Sequence, residues 1–286
     1  MILNTRLFRK VTIVGVGLMG GSLGMAIKKN KLAKEVVGLS KKQSTIVTAI
    51  KKKAIDVGYL DVKKAVNNAD LVVLAAPVES IIKLMSAVNP YIKRNCIVTD
   101  IGSVKASIVA ASDKLLTSTN CFVGSHPIVG SEKKGVDYAT ADLYNDSLCI
   151  MTPVDKTNKG AKERVKSLWT KIGAKVKYLP PDEHDTILSY ISHLPHLVAS
   201  GLINTVPKEF LQYASSGLRD TTRVAASSPQ MWNDICLSND KNVIKSLDEL
   251  VKSLSDFRAA IISRNQKKVT EYFTRAKEKR DALQQG

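Results

Sequence analysis

Apolar residues recur along this chain in two rhythms. Up to about residue 180 they form short runs rich in β-branched side chains: KVTIV (10–14), EVVGLS (35–40), ADLVVLAAP (69–77), CIVTDIGS (96–103), CFVGSHP (121–127), SLCIMTP (147–153) and AKVKYL (174–179). Stretches of helical period separate several of them. Strands alternating with helices predict a doubly wound, mostly parallel α/β sheet covered on both faces. From Pro180 and Pro181 onward the rhythm lengthens into DEHDTILSYISHLPHLVASGLINTV and KNVIKSLDELVKSLSDFRAAIISRNQKKVTEYFTRAKEKRDAL, with no further clear strand. A chain of 286 residues can bury two cores. The expected division is an α/β domain over residues 1–180 and an all-helical domain over residues 181–286.

The first strand runs straight into GVGLMGG and then the helical pattern SLGMAIKKN. Gly15, Gly17 and Gly20 have the spacing G-x-G-x-x-G, with Leu18 and Met19 between them. That order, strand then glycine turn then helix, marks a Rossmann-type dinucleotide site: a tight turn, a bare backbone against pyrophosphate, and close helix packing. The second strand ends at Ser40, Lys41 and Lys42, where NAD sites usually place an acid for the ribose hydroxyls. Lysines there could meet a 2′-phosphate, so these residues lean towards NADP; if they are simply solvated at a helix start, NAD is tolerated as well. Ligands of such sheets bind beyond the carboxyl ends of the strands, where Pro77, Ser103 and His126 fall. His126 is thus expected to end its strand where the nicotinamide lies. Ser103 could instead cap the helix that begins beside it.

In the helical half, His193 and His196 stand three apart and share a face, with Pro195 expected to kink the helix beside them. They lack a third ligand at a recognisable spacing, so no metal is expected. Arg219 and Arg223 flank Asp220 in a stretch of small residues, SSGLRDTTRVAASSPQMW. A guanidinium fork suits a carboxylate, unless either arginine pairs with an acid of its own domain.

Bulk composition narrows the classes. Apolar content of 44% and charged content of 24% are those of a globular protein. No run reads as a membrane span, and the opening MILNTRLFRK does not resemble a secretory signal, so a cytoplasmic protein is expected. The net charge of +17 raises nucleic acid as a partner, but the lysine clusters lack interleaved aromatics and only 5% of the chain is aromatic. A solvated lysine-rich surface is the expected reading. Cysteines 96, 121, 149 and 236 are too scattered for a disulfide framework or a zinc site and are expected to be small buried hydrophobes.

Together, GVGLMGGSLGMAIKK, VTDIGSVK, GSHPIVGSEKKGV, ISHLPHLVA and LRDTTRVAASSPQMW resemble the prephenate and arogenate dehydrogenases of tyrosine biosynthesis, over nearly the whole chain. The resemblance implies oxidative decarboxylation: hydride from the ring carbon bearing the hydroxyl goes to NAD(P)+, the ring carboxylate leaves as carbon dioxide, and the ring becomes aromatic. It implies that His126 is the base for the hydroxyl, at a pKa near the ordinary histidine value of about 6.5. Ser103 would orient that histidine, and Arg223 would bind substrate carboxylate. His193 and His196 would line the pocket, Glu132 would stand at its rim, and Trp232 would approach from a partner subunit. A homodimer through the helical domain is implied, and the intact SHLPH favours prephenate over arogenate as substrate.

Two rivals are distinguishable. The β-hydroxyacid dehydrogenases resemble a pattern with a catalytic lysine where this chain has DEHDTILSYISHLPH, which contains none. A non-catalytic NAD(P)-binding regulator would not need His126, Ser103 and Arg223 together.

Overall fold

The computed structural model describes residues 6–119, 121–129 and 133–283. Eight strands form one sheet: β1 (Phe8–Val14), β2 (Ala33–Leu39), β3 (Val57–Tyr59), β4 (Leu71–Leu74), β5 (Ile97–Asp100), β6 (Phe122–Ile128), β7 (Leu148–Thr152) and β8 (Lys175–Tyr178), in the order β3-β2-β1-β4-β5-β6-β7-β8. Chain reversal beside β1, with β2 and β3 on one side and β4 onward on the other, is the doubly wound arrangement. The three-residue β3 is too short for its own apolar rhythm and was not legible in sequence. The sheet is parallel except where β6 meets β7.

Helices cover both faces, as a parallel sheet requires. They are α1 (Leu18–Lys29), α2 (Gln43–Lys51), α3 (Val62–Val66), α4 (Val78–Val88), α5 (Ala106–Leu115) and α6 (Lys159–Lys171). Alternate strand positions feed the two layers. Val11, Ile13, Leu71, Val73 and Ile97 pack with Leu23 and Ile27 of α1 and with Val165 and Trp169 of α6. Val14, Val72, Leu74 and Val98 pack with Val66 of α3, Ile81 and Met85 of α4 and Ile108 of α5. Cys96, Cys121 and Cys149 are buried and Cys236 is partly buried, all four as free thiols.

After β8, the described chain carries α7 (Pro181–Leu188), α8 (Leu194–Thr205), α9 (Ser216–Thr222), α10 (Pro229–Ser238), α11 (Asp240–Ile262) and α12 (Gln266–Ala282), with short irregular turns between. It divides into two compact units, Met1–Asn239 and Asp240–Gly286, so the compact break lies about sixty residues beyond the change from strands to helices. In the second unit Phe257 stacks on Tyr272 at 4.3 Å between ring centroids. The run Pro181–Thr205 is long enough to cross a membrane and holds an 18-residue window with a mean hydropathy of 1.2, which corrects the reading that no segment approaches such a span. It also carries Asp182, Glu183 and Asp185 and three of the four histidines, whose hydrogen bonds are described below.

At the end of β5 an ion pair is sealed from solvent: Lys105 Nζ bonds Asp100 Oδ2, and both side chains are 0% exposed. Asp100 also accepts from the backbone N–H of Gly102 at 2.8 Å and of Ser125 at 3.1 Å, while Lys105 Nζ donates to Ser125 O at 2.8 Å. Breaking such a pair from one side leaves a buried charge without a partner, at a cost of about 3–5 kcal/mol. Lys105→Met is therefore expected to lower the unfolding free energy by that amount, seen as a lower denaturant midpoint at unchanged slope; a midpoint like that of the unchanged protein would remove the pair from the constraints on the fold.

Candidate active site

The carboxyl ends of β1, β2, β4 and β5 bring Gly15, Ser40, Pro77 and Ser103 to one edge of the sheet. The glycine loop is shaped for an anion. Gly15 has φ +102°, and a Cβ there would stand 2.1 Å from Ala75 O; a Cβ on Gly20 would stand 2.1 Å from Gly15 O. These two positions are closed by backbone. Gly17 is different: a Cβ there would meet nothing within 4 Å, so the loop has a bare face at the residue preceding α1. No side chain caps that helix, and its first turn holds no acid, so the helix end is free to receive negative charge. Leu18 and Met19 begin α1, and Met19 O accepts from the Tyr144 hydroxyl at 2.7 Å. These residues fit a dinucleotide phosphate.

Ser40 directly follows β2, and Gly15 N–H donates to Leu39 O at 2.9 Å, so the ribose-reading position adjoins the glycine loop. Ser40 Oγ accepts from Lys42 N–H at 3.3 Å, and both lysines are exposed. Pro77 is exposed at the start of α4.

His126 does not end its strand. β5 pairs with β6 only as far as Thr99↔Val123, and beyond that point β7 is its strand partner among the described residues, with His126 opposite Ile150. The antiparallel partner extends the strand to Ile128, past the end of its parallel neighbour. The edge facing β5 is taken at Ser125 by the side chains of Asp100, at the end of β5, and of Lys105, in the segment that also carries half-buried Ser103.

The expected cap is corrected. Ser103 does not cap α5; the carboxylate of Asp185, on α7, accepts from Lys105 N–H at 2.7 Å and Ala106 N–H at 2.8 Å. The same Oδ1 lies 2.7 Å from His184 Nδ1, and His184 Nε2 lies 2.9 Å from His126 Nδ1. Asn239 Nδ2 donates to Asp185 O at 2.8 Å and meets His193 Nδ1 at 3.3 Å. Sequence reading named none of Asp100, Lys105, His184, Asp185 and Asn239. The first two lie inside the quoted VTDIGSVK, and His184–Asp185 inside DEHD. Their chemistry depends on meeting across the sheet edge, and spacing along the chain carries no sign of it.

The four histidines converge here. Between α7 and α8 the chain widens into a π turn over Ser189–His193, and Pro195 sits at the start of α8. The expected kink is a widened turn, since Pro195 has no N–H to give. His193 is 1% exposed, and burial pulls its pKa down to about 4 against the opposing pull of Asp185. His196 stacks on Trp232 at 3.5 Å between centroids and 16° between planes, while His193 meets the same indole edge-on at 6.1 Å. Trp232, expected from a partner subunit, already stacks on its own chain's histidine. Its buried indole N–H finds no partner among the described residues. Burial lowers His126 well below the ordinary histidine value, helped by His184, Lys105 and His193, which corrects the expectation of an ordinary pKa. A neutral imidazole is what a proton acceptor must be.

Arg223 is exposed on the turn Arg223–Ala226, which packs against α8, the helix of His196. Among the described residues no carboxylate forms an ion pair with Arg219 or Arg223. Glu132 lies outside the described residues.

With this geometry in place, comparison with known proteins is direct. The family model for the nucleotide-binding domain of prephenate dehydrogenase matches residues 23–178, and that for its dimerization domain matches residues 180–275. A prephenate dehydrogenase of Bacillus subtilis is 36% identical over 280 residues, covering 96% of this chain and 76% of that protein. A cyclohexadienyl dehydrogenase of Zymomonas mobilis is 32% identical over 96% of each chain. The crystal structure of prephenate dehydrogenase from Aquifex aeolicus with hydroxyphenyl propionate and NAD+ superposes with a TM-score of 0.90 at 33% identity, covering 96% of this chain and 98% of that one.

The space at Gly17 yields a separable test. Gly17→Ala meets no protein atom, so folding and thermal stability are expected to stay as they are, while dinucleotide affinity falls at least tenfold because the methyl occupies the bare face. Unchanged nucleotide titration would move the phosphate away from this loop.

Proposed function

The chain belongs to the prephenate dehydrogenase family, and on that premise we propose that it converts prephenate to 4-hydroxyphenylpyruvate by oxidative decarboxylation, with hydride transfer to NAD(P)+, in tyrosine biosynthesis. The observation that carries the reading is His126. It is a neutral imidazole held through Nδ1 by His184, next to Ser125, whose backbone is tied to Asp100 and Lys105 of the segment that carries Ser103. The nicotinamide, when bound, accepts the hydride. His126 takes the proton of the ring hydroxyl, and Ser103 orients that hydroxyl. Arg223, without an acid partner among the described residues, holds a substrate carboxylate by a fork of two hydrogen bonds. His193, His196 and Trp232 wall the pocket. Carbon dioxide leaves without a proton and the product oxygen is a phenol, so the proton given to His126 returns to the oxygen it left.

Residues 1–180 hold the cofactor in this reading, and residues 181–286 form the substrate-binding and homodimerisation domain. We place the enzyme in the cytoplasm, with its biosynthetic relatives. Arogenate, with an amino group in place of the side-chain ketone, is the alternative substrate; the paired His193 and His196 favour prephenate. Lys41 and Lys42 favour a 2′-phosphate, but both are exposed, and exposed charge contacts contribute up to about 1 kcal/mol. With two lysines the expected preference for NADP+ over NAD+ is therefore at most about thirtyfold.

Purified protein supplied with prephenate or arogenate, each with NAD+ or NADP+, is expected to reduce nicotinamide with prephenate. Silence in all four mixtures, with nucleotide still bound, would leave a non-catalytic nucleotide binder. His126→Asn is expected to lower kcat by about two to four orders of magnitude at unchanged cofactor affinity. Arg223→Ala is expected to raise the KM for substrate by about tenfold to a hundredfold, the worth of a charge-assisted hydrogen bond; a KM equal to that of the unchanged enzyme would make this arginine a surface residue.

A further inference from the structure

We propose that His184 is the positioning residue of this site: with Asp185 it fixes His126 as the Nδ1–H tautomer, keeps the Nε2 lone pair for the reacting hydroxyl, and receives the charge of the proton taken from that hydroxyl. The inference rests on His126 being the base, as proposed above, and adds to it the direction of every hydrogen bond behind that base.

The directions follow from one carboxylate. Asp185 already accepts from two backbone N–H groups at the start of α5, at 2.7 and 2.8 Å. Toward His184 Nδ1, at 2.7 Å from the same oxygen, it accepts again, so the His184 proton sits on Nδ1. A neutral imidazole with its proton on Nδ1 offers a lone pair at Nε2. That lone pair lies 2.9 Å from His126 Nδ1, which must therefore donate. The proton of His126 is thereby committed to the protein side, and Nε2 is left as the acceptor.

The same chain of bonds gives the charge somewhere to go. Around His126 stand His184 and Asp185 from α7, His193 from the π turn, Lys105 at the start of α5 with its partner Asp100 on β5, and Cys149 on β7. Lys105 is a cation, so a positive charge on His126 is opposed. A positive charge on His184 sits instead against Asp185. The step balances as follows: the hydroxyl O–H bond breaks and its proton binds His126 Nε2, while the Nδ1 proton of His126 passes to His184 Nε2. His184 then holds the charge as an imidazolium paired with Asp185. Both transfers reverse when the phenolate oxygen is reprotonated. A borrowed proton needs no exit to water, which suits a His184 side chain that is 0% exposed.

Two measurements test this. The chain has only four histidines, so selective nitrogen-15 labelling resolves each ring, and His126→Asn identifies its signals. At neutral pH the unaltered protein is expected to show pyrrole-type Nδ1 and pyridine-type Nε2 for His126; the opposite pattern overturns the proposal, whatever the enzyme turns over. The second is kinetic. His184→Asn keeps a donor for Asp185 and loses the atom facing His126, whereas His184→Gln keeps an acceptor in that place. His184→Asn is expected to lower kcat about ten- to a hundredfold, the size seen when a group orienting a functional imidazole is removed, with nucleotide affinity and substrate KM within about twofold of their former values. His184→Gln, which returns an acceptor to that place, is expected to restore most of kcat. Unchanged kcat in His184→Asn would reduce the contact to helix packing. If His184→Asn does not fold, the ring signals of the unaltered protein and the rate of His184→Gln decide the matter. Absence of turnover in the unaltered protein would sink the reaction named above while the tautomer remained readable.

Discussion

A single buried charge pair governs the geometry of this site. Lys105 and Asp100 are shut away from water, and neither tolerates that position alone. Burial pulls the lysine's pKa down, and the neighbouring aspartate opposes the pull. Replacing such a pair with apolar residues often costs little, so its contribution is better sought in registry than in stability. Asp100 grips the backbone of Gly102 and Ser125, and Lys105 grips the carbonyl of Ser125. The loop after β5 and the half of β6 beyond Val123 are thus set at one spacing.

A second anchor joins the helical segment to that frame. Asp185 answers two open N–H groups at the start of α5, a place where an anion is welcome, and from there the imidazole of His184 reaches His126. Sheet edge, helix start and α7 are therefore fixed by one carboxylate. The π turn after α7 has a related effect on the next helix, since it adjusts the phase in which His193 and His196 are presented before α8 begins at Leu194.

The sheet was legible because its strands are buried on both faces and read as unbroken apolar runs, and the glycine loop because its spacing reports backbone crowding that only glycine admits. β3 was missed for want of length. The reversal at β7 was missed because an antiparallel strand inside a covered sheet has the same composition as a parallel one. Among the candidate residues, His126 and Ser103 could be picked out because each closes an apolar run, and the SHLPH pair by its spacing of three, although the structure carries β6 past His126 and puts His193 in the π turn. Lys105, Asp100 and His184–Asp185 could not, since each matters only through a partner 5 to 80 residues away or, for Asp185, through a helix end whose position depends on the folded loop. Trp232 was placed at the site by the family resemblance alone, since its contacts with His193 and His196 span some forty residues of chain.

All four histidines lie in this one neighbourhood, linked through His184, Asn239 and Trp232, and the net charge of +17 is carried by lysines and arginines that do not titrate near neutrality. The long-range field that draws an anionic substrate towards the protein is therefore almost constant across the physiological pH range. Acidity can silence the chemistry without weakening the attraction. At low pH this molecule would go on gathering its substrate from a distance after it had ceased to transform it.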